Sequence, residues 1–275
     1  MLALLLALAV PAPERFRNAR LELRVLDRPL AAALAAISPP EAVAWVGWSA
    51  PYHGRGPACC VEWDKRRPRV GYCRLESSRG LNVGDDGRGG AAPRRLQVLV
   101  RVLGGAADRI RAYSEDCEID AEDQRVVWLE AVSPEESVAY LRRLASGGGG
   151  ARSLGEEALT AIAFHAAPEA VAALIALARH DPAAEVRSEA LFWLAQRAGD
   201  EARAAITRAI EEDPETEVKR RAVFALSELP PDEGVPLLID LARRHKNPVV
   251  REQAFFWLGE SQDARALTFF EEVLR

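Results

Sequence analysis

The second half of the chain repeats itself every thirty-two residues, and this period restricts the fold more than any other feature. Val186-Arg187 and Ala190-Leu191-Phe192-Trp193-Leu194 are followed one period on by Val218-Lys219 and Ala222-Val223-Phe224-Ala225-Leu226. Val250-Arg251 and Ala254-Phe255-Phe256-Trp257-Leu258 come one period later. Leu174, Ile206, Leu238 and Phe270 form a second series with the same spacing. Two series per period mean two helices per unit, and about four units fit between Ser153 and Arg275. The first unit is degenerate, with Ala158, Leu159 and Ile162 at the matching core positions. A single helical hairpin cannot bury its apolar face, so units of this kind stack into a continuous core.

The punctuation of the repeats agrees. Asp181, Asp213 and Asn247 are each followed by proline, which reads as an N-cap and a first helical position. Ser153 with Glu156 fits a capping box. Pro168, Asp200, Asp232 and Asp263 sit where the second helix of each unit should begin. In the first helix of the second unit, Val186, Ala190, Trp193, Leu194 and Arg197 share one side at helical spacing, and the central alanine admits a close neighbour. Phe192, Phe224 and Phe256 point away from that side; they read as packing between repeats or as an aromatic stripe for a partner. Arg187, Lys219 and Arg251, one per unit, are expected to ladder with acidic caps of adjacent units.

The run Asp-Pro-x3-Val-Arg-x2-Ala-Leu-Phe-Trp-Leu resembles the HEAT repeat, in the short form also found in phycobilin-lyase-like proteins. Arg251 to Leu274 is similar to the HEAT-repeat proteins exported by some bacteria. The resemblance covers roughly the last 125 residues and is specific for fold, not for function. It implies an α-solenoid of HEAT/armadillo-type hairpins whose job is to bind another protein. In such solenoids the second helices line the concave face, which nominates Arg203, Arg208, Glu211, Asp240, Arg243, Arg244 and Glu271 as partner-binding residues.

Glycines 147–150 read as a joint, so the expected organisation is a leader over 1–13, a small domain over 14–146 and the solenoid over 147–275. The small domain has a different period. Val43 to Ser49, Arg69 to Leu75, Leu96 to Leu103, Arg109 to Tyr113 and Arg125 to Leu129 read as strands, and Leu30 to Ile37 and Pro134 to Leu144 as helices. This predicts a mixed α/β unit built on one antiparallel sheet with two helices, and α+β as the class of the whole chain. The stretches around Cys59-Cys60, Cys73-Arg74-Leu75-Glu76 and Cys117 are similar to the N-terminal part of the exported HEAT-repeat proteins.

The first ten residues are an apolar run ending before Pro11-Ala12-Pro13, too short to span a bilayer and of the length of a signal-peptide core. The expectation is an exported, periplasmic protein with no stable membrane insertion. Four cysteines, Cys59, Cys60, Cys73 and Cys117, fit disulfides in an oxidising compartment. A bond between adjacent Cys59 and Cys60 is geometrically poor, so one should pair with Cys73 and the other with Cys117. Zinc is the competing reading, but it favours Cys-x2-4-Cys spacing, which does not occur.

Nothing else in the chain marks catalysis, and no cofactor or metal is expected. His180 and His245 fall at near-equivalent helix ends and His165 near another, where the helix dipole favours a cation. His53 lies beside Tyr52 and Gly54 near the cysteines, which keeps an enzyme or ligand site in the small domain as the rival reading. HEAT-repeat hydroxylases resembling deoxyhypusine hydroxylase hold iron through His-Glu dipeptides, and this sequence has none. A lyase-like or oxidoreductase role would need a cofactor pocket for which no residue set stands out. Nucleic acid is a poor partner: residues 151–275 carry 15 Lys/Arg and 22 Asp/Glu, a net of -7 within the overall -5. The basic cluster Lys65-Arg66-Arg67-Pro68-Arg69 lies between expected strands and reads as a solvated hairpin turn.

Overall fold

The structure is a computed structural model, and it describes residues 16–37, 43–54, 58–64, 67–70, 72–77, 82–83, 95–146, 152–197 and 199–275. The expected leader and the Gly147–Gly150 joint lie outside the described residues. The chain divides into two compact units. One takes Met1–Leu144 with Gly149–Glu169, the other Ala145–Gly148 with Ala170–Arg275.

The first unit contains β1 (Phe16–Arg17), β2 (Arg20–Val25), α1 (Leu30–Ile37), β3 (Val43–Pro51), β4 (Ala58–Cys59), β5 (Val61–Asp64) and β6 (Arg67–Val70). It continues with β7 (Tyr72–Arg74), β8 (Asn82–Val83), β9 (Arg95–Leu103), β10 (Ala106–Ser114), β11 (Glu118–Asp120), β12 (Arg125–Glu130), α2 (Pro134–Ser146) and α3 (Arg152–Ala163). Five strands form the main sheet in the order β10-β9-β3-β12-β2. It is mixed rather than antiparallel as expected: β3 runs antiparallel to β9 but parallel to β12, and β12 parallel to β2. The parallel half needs crossovers, and α1 provides the one between β2 and β3.

Strand β3 sits at the centre and is buried almost throughout, which explains its near-continuous apolar sequence. Its alternation sends Trp45 and Trp48 to opposite faces. On one face Trp48 Nε1 donates to Ser137 Oγ of α2 at 2.8 Å, and its ring meets Tyr140 edge-on at 6.1 Å. On the other, Trp45 joins Leu99, Val126, Leu75, Ile119 and all four cysteines in a buried cluster. That cluster is closed by a small parallel sheet, β1-β11-β7. Gly47 is required between them: a Cβ there would lie 2.7 Å from the Trp128 ring and 2.9 Å from Leu99.

Several local expectations are corrected. Arg69 to Leu75 is not one strand: β6 closes a hairpin with β5, pairing Asp64 with Arg67, while β7 belongs to the small parallel sheet. Lys65 and Arg66, which join that hairpin, lie outside the described residues. A third helix, α3, belongs to this unit; its Glu157 carboxylate accepts from Ile110 N at 2.6 Å and Arg111 Nη1 at 2.7 Å on β10. Ala158, Leu159 and Ile162 are fully buried there. The first unit therefore reaches Glu169, beyond the glycine run where the sequence placed the joint.

The second unit holds α4 (Pro168–His180), α5 (Ala184–Arg197), α6 (Asp200–Glu212), α7 (Thr216–Ser227), α8 (Pro231–Arg244), α9 (Pro248–Glu260) and α10 (Ala264–Val273). Three hairpins, α5–α6, α7–α8 and α9–α10, follow the thirty-two-residue period. Ala190, Ala222 and Ala254 are fully buried, and α7 lies against both α5 and α9. Leu174, Ile206 and Leu238 form the matching core of the second helices; in α10 Phe269 takes the buried place and Phe270 is half-buried.

The caps fall differently from the sequence reading. Asn247 does cap α9, accepting from Val249 N at 2.9 Å. Asp181 and Asp213 instead close the preceding helices and accept from the backbone N–H two residues on, Ala183 and Glu215. Their equivalent in the next repeat is His245, whose Nδ1 accepts from Asn247 N at 3.1 Å. Within the α7–α8 hairpin, Gly234 lets α8 touch the end of α7: a Cβ there would lie 2.4 Å from the Leu226 carbonyl oxygen. Because that obstacle is backbone, Gly234→Ala is expected to cost about 1–3 kcal/mol despite alanine's better helix propensity. Denaturant unfolding followed by circular dichroism measures this, and an unchanged or raised midpoint would refute the close approach.

Candidate functional site

Two of the nominated second-helix residues, Arg203 and Arg243, are held in cross-repeat ion pairs. Arg203 on α6 donates to Glu233 on α8 at 3.0 Å and also pairs with Asp200 in its own helix. Arg243 on α8 pairs with Glu272 on α10, and its guanidinium lies 5.2 Å from the centre of the Phe269 ring. Arg244 reaches Asp240 one turn back at 3.5 Å, and Glu211 approaches His245 Nε2 at 3.7 Å. Arg203, Arg208 and Glu211 line a shallow groove with Asp200, Thr207 and Leu237. Arg208 is exposed and has no ion pair among the described residues, whereas Glu271 stands exposed on α10. The face is thus a mixed-charge surface, much of whose charge is already satisfied within the protein.

The first-helix row carries an aromatic ladder. The Phe192 and Phe224 rings are stacked and nearly parallel, 6° apart with centroids at 6.2 Å. The next ring is Trp257, 4.9 Å from Phe224, and not Phe256 as the period alone implies. Phe256 packs edge-on against Trp257 at 4.9 Å and ends the ladder with 54% of its surface exposed. Trp193 meets Phe192 at the other end, at 5.2 Å. Trp193, which helical spacing placed on the apolar side of α5, and Trp257 are members of the ladder. The periodic Trp in Phe-Trp-Leu, present in the α5 and α9 repeats and replaced by Ala225 between them, was the available signal.

Of Arg187, Lys219 and Arg251, expected to ladder with acidic caps, Arg187 meets a carboxylate, whereas Lys219 and Arg251 bond backbone carbonyls at helix ends. Arg187 is 7% exposed and grips Asp213, at the end of α6, with two bonds, Nε at 2.8 Å and Nη2 at 3.0 Å. Its Nη1 also donates to the Asp181 and Pro182 carbonyls, and the Asp213 carboxylate holds its pKa above the ordinary value. One period on from Asp213 the sequence has His245, and Lys219 donates instead to the carbonyls of Ile210 and Glu211 that end α6. Arg251 does the same at the end of α8, bonding the His245 carbonyl at 2.8 Å. Cations there complete helix C-termini.

The cysteines form two disulfides, Cys59–Cys117 and Cys60–Cys73, all four side chains at most 2% exposed. Among the described residues the one His/Cys/Asp/Glu cluster with metal-like spacing is Cys59, Asp116 and Cys117, and its two sulfurs are bonded to each other. His53 is exposed and ties its backbone N–H to the Phe164 carbonyl at 2.7 Å. His165 is fully buried, its Nδ1 accepting from Ala167 N at 3.3 Å. The cysteine region is therefore packed core rather than a polar pocket. Among the described residues no helix is long and apolar enough to cross a membrane.

Helical hairpins repeated at a fixed period, with their first helices packed side by side, define an α-solenoid. Residues 203–275 match the family model for HEAT repeats, and the chain is a HEAT-repeat domain-containing protein. No curated protein matches it.

Proposed function

We propose that this protein is a non-enzymatic, protein-binding scaffold of a bacterial cell envelope that engages its partner through the HEAT solenoid. The aromatic ladder Phe192–Phe224–Trp257–Phe256 carries this reading, because rings half-open to solvent across three successive repeats supply rigid apolar contact at low entropic cost. The second-helix groove around Arg208 supplies polar contacts of either sign. Two buried disulfides and the apolar run before Pro11-Ala12-Pro13 support an oxidising, extracytoplasmic setting.

The test is capture from envelope extract by the full chain, followed by titration of the purified partner. Phe256→Ser, at an exposed position, is expected to weaken binding about 30-fold, the effect of losing roughly 2 kcal/mol at an interface anchor. Loss with Arg208→Glu instead would move the contact to the second-helix groove. A partner that binds both variants as tightly as the parent would overturn the solenoid reading.

A further inference from the structure

The edge of the main sheet carries a second, unrelated surface. Among the described residues β2 is the terminal strand of the five, with β12 on one side only. Its sequence alternates strictly: Arg20, Glu22 and Arg24 lie on one face, and Leu21, Leu23 and Val25 on the other. Those three apolar side chains are exposed by 39%, 55% and 65%. Arg20 N donates to the Gln124 carbonyl and Leu26 N to the Glu130 carbonyl, so in this parallel ladder the even-numbered residues bond to β12. The backbone N–H and C=O groups of Leu21, Leu23 and Val25 therefore point away from the sheet.

We propose that β2 docks a second copy of this chain, antiparallel and centred on Leu23, joining two five-stranded sheets into one of ten. The strand is self-complementary about that residue and about no neighbouring one. Leu23 falls opposite Leu23 of the second copy and Leu21 opposite Val25, which places apolar side chains together. The same register sets Glu22 opposite Arg24 twice, so both cross-strand charge pairs are of opposite sign. The outward-pointing groups are those of the hydrogen-bonded positions in this register, so each Leu21, Leu23 and Val25 gains a backbone donor and a backbone acceptor. Centring on Glu22 instead would bring like charges face to face. A two-fold pairing consumes both free edges and closes, which removes the edge as a template for further addition. This inference is independent of the partner-binding reading of the solenoid.

Light scattering on the full chain between about 10 and 100 µM should give twice the 30.1 kDa chain mass. Leu23→Asp should raise the dimer dissociation constant about a hundredfold or more, because it sets two carboxylates against each other in place of two buried leucines. Leu23 is outward and more than half exposed, so the variant's near-UV circular dichroism should match the parent. Register is read separately by cross-linking, since the described cysteines are all paired. Leu23→Cys should cross-link to itself, its Cα atoms about 5.5 Å apart across the axis. Leu21→Cys and Val25→Cys should cross-link only when mixed. A single-chain mass throughout, a dimer that survives Leu23→Asp, or Leu23→Cys cross-linking no faster than Leu103→Cys would each overturn the proposal.

Discussion

Asp213→Ala is expected to lower the unfolding free energy by about 3–5 kcal/mol, the cost of leaving a buried charge without its partner. Arg187 is 7% exposed and, among the described residues, Asp213 is the one carboxylate that its guanidinium bonds. Without the carboxylate, the guanidinium stays at the α4–α5 connection with only the Asp181 and Pro182 carbonyls to satisfy it. The Glu215 N–H also loses its acceptor, which adds to the same deficit. Removing both charges should be milder. In Arg187→Met with Asp213→Asn the amide oxygen still serves Glu215 N and no unpaired ion remains, so a loss under about 2 kcal/mol is expected. Lys219→Met sets the scale for a cation that only completes a helix terminus, about 1 kcal/mol or less. Urea unfolding of the four proteins gives the comparison. An Asp213→Ala loss below 1 kcal/mol, or a double variant worse than the single, would show that the pair is not what ties α5 to the end of α6.

The periodic half of the chain was readable because each repeat reports on its neighbours. Burial of Ala190, Ala222 and Ala254 and of Leu174, Ile206 and Leu238 follows from spacing alone. The reading slipped where a dipeptide outweighed the period. Asn247-Pro248 imitates Asp213-Pro214, yet it lies thirty-four residues on, and the true equivalent of Asp213 is His245. That substitution is also why Arg187 finds a carboxylate and Lys219 does not. In the aromatic ladder the period points from Phe224 to Phe256, but the ring in contact is Trp257. An indole is long enough to reach over the adjacent helix, and spacing carries no information on side-chain reach.

The strand-rich unit was less legible for a different reason. The central strands β3, β9 and β12 announce themselves by runs of buried valine, leucine and tryptophan. The edge strand β2 was missed because its alternating arginine, glutamate and leucine lack β-branched bulk, and its apolar face is not buried. The apolar side of α3 was recognised, but an apolar side does not name what covers it. The sequence reading supplied a second helix of a repeat, whereas β10 lies against α3. Sheet direction was beyond reach because β2–α1–β3 is a crossover that becomes visible only once β2 is seen as a strand. In the nominated second-helix set, the sequence identified the charges but not their mutual pairing, since Arg203–Glu233 and Arg243–Glu272 connect successive repeats.

The disulfides provide the other large effect. Cys59 and Cys117 are 58 residues apart and Cys60 and Cys73 are 13 apart. The closed loops remove about 4 and about 3 kcal/mol of unfolded-chain entropy respectively, on the loop-closure model. Replacing Cys59 and Cys117 together by alanine should therefore cost about 4 kcal/mol or somewhat more, since the buried cluster with Trp45, Leu99 and Ile119 also loses sulfur volume. The Cys60 and Cys73 double variant should cost less. Reductant should act on the first compact unit, where all four cysteines reside, and spare the helical unit from Ala170 to Arg275, which has none. Melting in the presence of a phosphine reductant should then separate an early loss of near-UV tryptophan signal, from Trp45, Trp48 and Trp128, from a later loss of helical signal. If the longer loop proved no more costly than the shorter one, cystine packing rather than chain entropy would dominate. If reductant left the early transition unmoved, the packed sheet would be sufficient by itself, and the cystines would cease to argue for an oxidising compartment.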